Sequence, residues 1–329
     1  MFVTATDYHT AGEPFRIVSG GISQLRGKTI LEKRAFAAEH LDEIRKLLVF
    51  EPRGHADMYG CFVTEPEDDG ADLGVVFFHN AGYSTACGHG TIALVTWAIE
   101  SGLIKSAGAE TQVVVDAPSG RLECVARSDG KSITQVRFRN VRSYVAAKAQ
   151  EIDLPGGKLI GDLSYGGAFY MCIDLRSLGL RVESKNVDEL IGLGRRIKAA
   201  VERNRDVVHA DAPAIRDVYG IIFFETASDD TGKPLHEKNL TIFADGEVDR
   251  SPCGSGTSAR LAVLHASGRL PSGRILINEG IVGERFEGRV VDEVDGGVIT
   301  EISGRAFLTG FHTFVLRGDD PIGTGFLLR

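Results

Sequence analysis

The sequence predicts an α+β chain built as two homologous halves, each made mostly of short antiparallel strands around a few helices. One observation is a run of short alternating or β-branched segments such as GRLECVAR, ITQVRFRNV, VYGIIFFE and RILINEGIVGERFEGRVV, separated by turn residues. A second is the scarcity of long helical stretches, which argues against a regular βαβ series. The third is an internal repeat. Residues 87–102 read CGHGTIALVTWAIESG and residues 253–268 read CGSGTSARLAVLHASG, aligned without a gap and identical at seven of sixteen positions.

In chain order, helices are expected at about 29–49, after Cys87, at 187–204 and after Cys253. In the first copy of the repeat Ile92, Val95 and Ile99 fall at helical spacing; in the second, Leu261, Leu264 and His265 do so less regularly. Each copy ends on a glycine suited to the left-handed position after a helix. A strand-like run precedes each copy, LGVVFFHN before Cys87 and NLTIFADG before Cys253, with a turn between run and cysteine. Strand, turn, cysteine and helix therefore occur twice. At 329 residues the chain exceeds a usual single core. The division is expected near 140–150, giving one lobe of 1–142 that carries Cys87 and is joined by 311–329, and a second lobe of 143–310 that carries Cys253.

Composition narrows the function. With 43% hydrophobic and 25% charged residues the chain should fold throughout. A formal net charge of −8 without a Lys/Arg-rich run argues against nucleic acid or an anionic membrane as partner. The start, MFVTATDYHTAGEP, lacks a basic segment followed by an apolar one, and no window approaches the roughly 18 apolar residues of a membrane span, so a cytoplasmic protein is expected. The five cysteines are widely spaced, with no C-x-x-C and no Cys/His cluster, so neither a disulfide framework nor a metal is expected. Cys61, Cys124 and Cys172 sit among apolar or strand-like neighbours and read as small core residues.

Cys87 and Cys253 differ in standing at helix starts. The positive end of the helix dipole and its unpaired N–H groups lower a thiol pKa, making such a cysteine a base near neutral pH. The glycines that follow open the backbone N–H groups to a ligand carboxylate. Two such ends on one carboxylate would set its α-carbon between two sulfurs, one thiolate removing a proton while the opposite thiol donates another. The two titrations would be coupled, because two facing anions repel. The repeat also satisfies a loose G-x-G-x-x-A nucleotide pattern, but its glycines do not directly follow a strand and Asp116 lies too far along for a ribose-binding acid, so that reading is set aside.

Beyond the repeat, HTAGEPFR (9–16), FEPRGHADMYG (50–60), GYSTACGHGTIAL (82–94), YGGAFY (165–170), DRSPCGSGTSAR (249–260) and DDPIGTGFLLR (319–329) make the whole chain resemble the proline racemase family. That family includes proline racemases, 4-hydroxyproline 2-epimerases and trans-3-hydroxy-L-proline dehydratases. The resemblance implies the diaminopimelate epimerase-like fold, with two similar lobes, each a curved, mostly antiparallel sheet around a helix, and the active site between them. It implies no cofactor, a proline-type substrate, Cys87 and Cys253 as the acid/base pair, and Gly88, His89, Gly254 and Ser255 at the carboxylate. Asp249 and His89 match positions near the substrate ring nitrogen, and a homodimer is the family expectation. Against these roles stand simpler ones: Asp249 as the cap of the D-R-S-P turn, and His89 as a solvated turn residue. His9, Glu13, His55 and Asp57 read as turn and cap residues.

The segments outside the cysteines look more like the dehydratase branch, whose members carry Thr where this chain has Cys253. Thiols for both faces are what stereoinversion needs, so racemisation or 2-epimerisation of proline or hydroxyproline is the preferred reading. Dehydration of trans-3-hydroxy-L-proline comes second. Tyr219 falls near the position where 4-hydroxyproline epimerases place a ring-contacting His, which disfavours 4-hydroxyproline. A non-catalytic amino-acid-binding protein is the third reading, although binding alone does not require two thiols.

Overall fold

The structure is a computed structural model that describes residues 1–204, 206–230 and 232–328. Its elements run β1 (Phe2–Thr10), β2 (Glu13–Gly20), α1 (Ile30–His40), α2 (Asp42–Val49), β3 (Tyr59–Thr64), β4 (Leu73–His79), β5 (Gly82–Tyr83) and α3 (Gly88–Glu100). There follow β6 (Glu110–Ala117), β7 (Gly120–Ser128), β8 (Ile133–Arg139), β9 (Tyr144–Leu154), β10 (Gly157–Tyr165), β11 (Phe169–Asp174), α4 (Val187–Asn204) and β12 (Val218–Ser228). The chain closes with β13 (Leu235–Phe243), β14 (Glu247–Asp249), α5 (Gly254–Ala266), β15 (Leu276–Glu279), β16 (Arg285–Val294), β17 (Gly297–Gly304) and β18 (Ala306–Val315).

The chain forms two compact units, 1–137 with 305–329, and 138–304. The divisions fall at 137/138 and 304/305 instead of 142/143 and 310/311, and hydrogen bonding accounts for both shifts. Asn140 N–H donates to Thr300 O at 2.9 Å and Ser143 pairs with Val298, which fastens 140–143 to β17. β18 is in register with β1 from its first residue, Ala306 opposite Thr10.

In the first unit the strands are ordered β18–β1–β2–β3–β4–β6–β7. The β2/β3 and β4/β6 pairs are parallel, and α1–α2 and α3 are their crossovers. In the second unit the order is β9–β10–β11–β12–β13–β15–β16–β17. Here too two pairs are parallel, β11/β12 across α4 and β13/β15 across α5, as parallel neighbours require a long return. Short β5 and β14 pair back onto β4 and β13 just before the cysteines. The repeat seen at residues 87 and 253 thus extends to the topology of both units.

Each sheet curls about its own central helix, since α3 packs on β18, β1, β2, β3 and β7, and α5 on β9, β10, β11, β16 and β17. Both helices are buried almost all round, including the unbroken runs Gly88–Thr96 and Gly254–Leu264. A helix enclosed in this way needs no polar face. The left-handed glycines after each are in place, Gly102 at φ 78° and Gly268 at φ 72°.

Of the outer helices, α2 and α4 are amphipathic. The apolar stripe of α4, Leu190, Leu193, Ile197 and Val201, joins Ile221, Phe223, Leu240 and Ile242 in one core. The expected 29–49 helix is interrupted at Leu41, whose φ of −121° lies outside the helical region and whose side chain is buried. α1 starts with a capping box, Thr29 Oγ1 accepting from Glu32 N–H while the Glu32 carboxylate accepts from Thr29 N–H.

Candidate active site

In the first unit, β4 delivers the chain through the β5 turn to Cys87, the residue that caps α3 in an extended conformation, φ −152°. The thiol is buried at 5% exposure, and its Sγ accepts from the Gly90 N–H at 3.3 Å. His89 folds back over it, with Nε2 3.4 Å and Nδ1 3.7 Å from the sulfur. The imidazole meets Phe15 and Tyr59 edge-on, at ring separations of 5.6 and 5.1 Å. Thr10 Oγ1 donates to the His89 carbonyl at 3.0 Å, tying the helix start to β1. His89 is buried at 3% exposure, so the solvated-turn reading fails.

The second unit repeats the layout with different chemistry. Cys253 also precedes its helix, α5, but with φ at 60°, in the region that favours glycine. A short relay holds it there. Asp249 Oδ1 accepts from Ser251 N–H at 2.9 Å and from Ser251 Oγ at 2.7 Å, and Ser251 Oγ accepts from Cys253 N–H at 3.0 Å. The turn-capping role weighed for Asp249 is therefore present, in a carboxylate that is itself buried. Tyr170, reaching in from β11, has its hydroxyl 3.8 Å from Cys253 Sγ and 2.7 Å from Ser255 Oγ.

The protonation of Cys253 departs from expectation. Burial pushes its thiol well up, and the Asp249 carboxylate adds in the same direction; the Gly256 N–H and the Tyr170 and Thr241 hydroxyls only partly offset them. The helix dipole, a matter of half a charge, is outweighed by desolvation of the thiolate. Cys61, Cys124 and Cys172 are buried on β3, β7 and β11, and burial raises all three, Cys172 to about 12.

Gly88 and Gly254 begin α3 and α5, where N–H groups have no partner inside the helix, with Ser255 next in the second unit. The second glycine of each motif has another task. A Cβ on Gly90 would lie 2.7 Å from Cys87 Sγ and 2.4 Å from the Phe15 ring, and one on Gly256 would lie 2.9 Å from Cys253 Sγ. These glycines make room for their own cysteine's sulfur. Sequence reasoning passed over Thr10, Phe15, Tyr59, Tyr170, Thr241 and Ser251. Each lies in a segment quoted from the sequence, but all except Ser251 reach their cysteine from other strands, so nothing local assigned them a role.

His9 accepts from Gly12 N–H at 3.3 Å across the β1–β2 turn and stacks on Phe307, and His55 Nδ1 bonds the Ala56 carbonyl, in keeping with turn roles.

The family model for proline racemase matches residues 5–327. The chain belongs to the proline racemase family. Among curated members of that family, it is 42% identical to a trans-3-hydroxy-L-proline dehydratase of Bacillus cereus, over 99% of this chain and 98% of that protein. It is 44% identical, with the same coverage, to a 3-hydroxyproline 2-epimerase of Burkholderia multivorans. The crystal structure of a hydroxyproline epimerase from Agrobacterium vitis, with trans-4-hydroxy-L-proline bound, superposes with a TM-score of 0.91 at 32% identity, covering 99% of this chain and 96% of that one. The fold is thus the diaminopimelate epimerase-like one of the proline racemases. Both enzyme classes, epimerase and dehydratase, occur among the relatives.

Proposed function

We propose that this protein is a hydroxyproline 2-epimerase, with 3-hydroxyproline its foremost substrate, and that Cys87 and Cys253 exchange protons with one α-carbon from opposite faces. The observation that carries the reading is the thiol at both repeated helix starts, where binding alone would be satisfied by Ser or Gly. Relatives at 42% and 44% identity are both named for 3-hydroxyproline, which favours that ring.

In the forward step the Cys87 thiolate takes the Cα proton, the electron pair of that C–H bond passes into the carboxylate as an enolate, and the Cys253 S–H delivers a proton to the other face. The products are the inverted amino acid, a Cys87 thiol and a Cys253 thiolate, and proton return through solvent restores the enzyme. The direction of the Cys253 shift suits it to rest as the acid. Positioned acids and bases contribute about 10²–10⁴-fold, so the N–H groups at Gly88, His89, Gly254 and Ser255 must stabilise the enolate. The Asp249 carboxylate is the proposed partner of the substrate ammonium.

A second reading is dehydration, favoured by the name of the B. cereus relative. There the α-proton and the 3-hydroxyl leave as water, and the enamine tautomerises to Δ¹-pyrroline-2-carboxylate. Incubation of the enzyme with L-proline, trans-4-hydroxy-L-proline and trans-3-hydroxy-L-proline in D₂O, followed by NMR, separates the two. Epimerisation yields D-proline from L-proline and the cis-configured amino acid from either hydroxyproline, deuterated at Cα; pyrroline formation from trans-3-hydroxy-L-proline without inversion rejects it. Cys253→Ser should abolish inversion while Cys87 still exchanges the α-proton of one epimer with retention, and undiminished inversion in that variant would remove the two-thiol mechanism.

A further inference from the structure

We infer that Tyr170 is a positioning residue for Cys253, its hydroxyl and that of Ser255 forming a relay that reverses its sense as the sulfur gains or loses a proton. The inference rests on the reading of Cys253 as an acid/base group. Three polar atoms cluster inside the second unit: Cys253 Sγ, Tyr170 Oη at 3.8 Å from it, and Ser255 Oγ, which lies 2.7 Å from that oxygen and 4.0 Å from the sulfur. All three residues are buried, Tyr170 fully. The phenol ring cannot swing away, because it meets Tyr219 edge-on at 5.8 Å and Tyr219 stacks in turn on Phe243.

A hydroxyl both donates and accepts, so this cluster suits either state of the sulfur. With a thiol, S–H donates to Tyr170 and Tyr170 donates to Ser255. With a thiolate, Ser255 donates to Tyr170 and Tyr170 donates to the sulfur. No hydrogen bond is lost in the reversal, which matters in a site where an unmet polar group is costly. The opposing influence is fixed: the Asp249 carboxylate at the end of β14 disfavours the thiolate whichever way the hydroxyls point. At the Ser255 position of the first unit stands His89, in contact with the Cys87 sulfur through its own ring. The two thiols are thereby given different surroundings by the one variable position of C-G-x-G.

The test is alkylation by iodoacetamide of the whole protein between pH 7 and 9.5, with the modification of Cys253 and Cys87 followed separately by peptide mass spectrometry. Tyr170→Phe keeps the ring and removes the hydroxyl. It should slow Cys253 about tenfold at fixed pH, the scale of one hydrogen bond to a charged group, and leave Cys87 unchanged. Because the equilibrium constant of the reaction is fixed, kcat/KM should fall by a common factor in both directions. Ser255→Ala, which spares the Tyr170 ring packing, should slow Cys253 less, about threefold, and covers the case in which the first variant does not fold. A ratio of Cys253 to Cys87 reactivity that stays constant or rises in the folded variants overturns the relay. A lowered ratio in a protein that proves unable to epimerise sustains the relay and rejects the functional reading instead.

Discussion

Gly90 and Gly256 occupy the third position of their helices, where an added Cβ would meet the Phe15 ring and the Cys87 sulfur in the first and the Cys253 sulfur in the second. From sequence, the glycines after each cysteine read as openings for an approaching carboxylate, with Gly88 and Gly254 named for it. For the second of each pair, the sulfur of the preceding cysteine is the nearer neighbour or one of the two nearest. Gly90→Ala should therefore damage the site from within: a methyl 2.4 Å from the Phe15 ring and 2.7 Å from Cys87 Sγ forces one of them to move. We expect a loss of about 1–3 kcal/mol in stability, measured by urea unfolding, together with a drop of more than about tenfold in kcat. Wild-type kinetics in Gly90→Ala would show that the Cys87 geometry has slack. The motif itself was plain from the repeated C-G-x-G-T, but its packing reason was not, because Phe15 comes from β2 and no local pattern joins it to residue 90.

At the scale of elements, the central helices look unlike ordinary surface helices because each sheet closes around them. α5 even encloses a charge. Arg260 is 3% exposed and its guanidinium makes a bidentate pair with Glu237 of β13 at 2.8 and 2.9 Å, while its Cζ lies 3.5 Å over the Phe224 ring. Glu237 is fully buried. Arg260→Leu would take away the bidentate partner of that buried carboxylate and leave it Arg269 Nη1 at 4.0 Å and the Thr226 hydroxyl at 3.4 Å, and about 3–5 kcal/mol of destabilisation is expected, read from denaturant midpoints. Arg260→Leu with Glu237→Leu should recover most of it. Equal losses in single and double variants would mean that packing on Phe224, not charge, is what Arg260 supplies. The single helix expected at about 29–49 is broken at Leu41, whose side chain is buried at the junction of α1 and α2.

On the scale of the whole molecule, the C-terminal segment completes the unit formed by the N-terminal residues. β18 pairs with β1 along its length, from Phe2 opposite Val315 to Thr10 opposite Ala306. Beyond it, Glu51 and Phe326 exchange two backbone hydrogen bonds at 3.0 Å, and Arg53 pairs with Asp320 at 2.7 Å. The motifs FEPRG and DDPIGTGF, far apart in sequence, are thus two sides of one contact. Deleting 305–329 should strip β1 of a partner and lower the melting temperature by more than about 10 °C, or leave the protein insoluble. A truncated chain melting within a degree or two of the parent would show that this segment is dispensable.

The sequence by itself determined the duplication, the α+β character, the family and the identity of the two thiols at helix starts, because these depend on local residue order. Helix α4, expected at about 187–204, is found at Val187–Asn204. Tertiary structure alone decided which strands run parallel, where the units divide, that Asp249 and Ser251 hold Cys253 at a positive φ, and that burial raises the thiol which the helix start was expected to acidify. The reason is physical: hydrogen-bonded pairs between distant strands and the desolvation of a buried group depend on neighbours brought together only by folding, and periodicity carries no record of them.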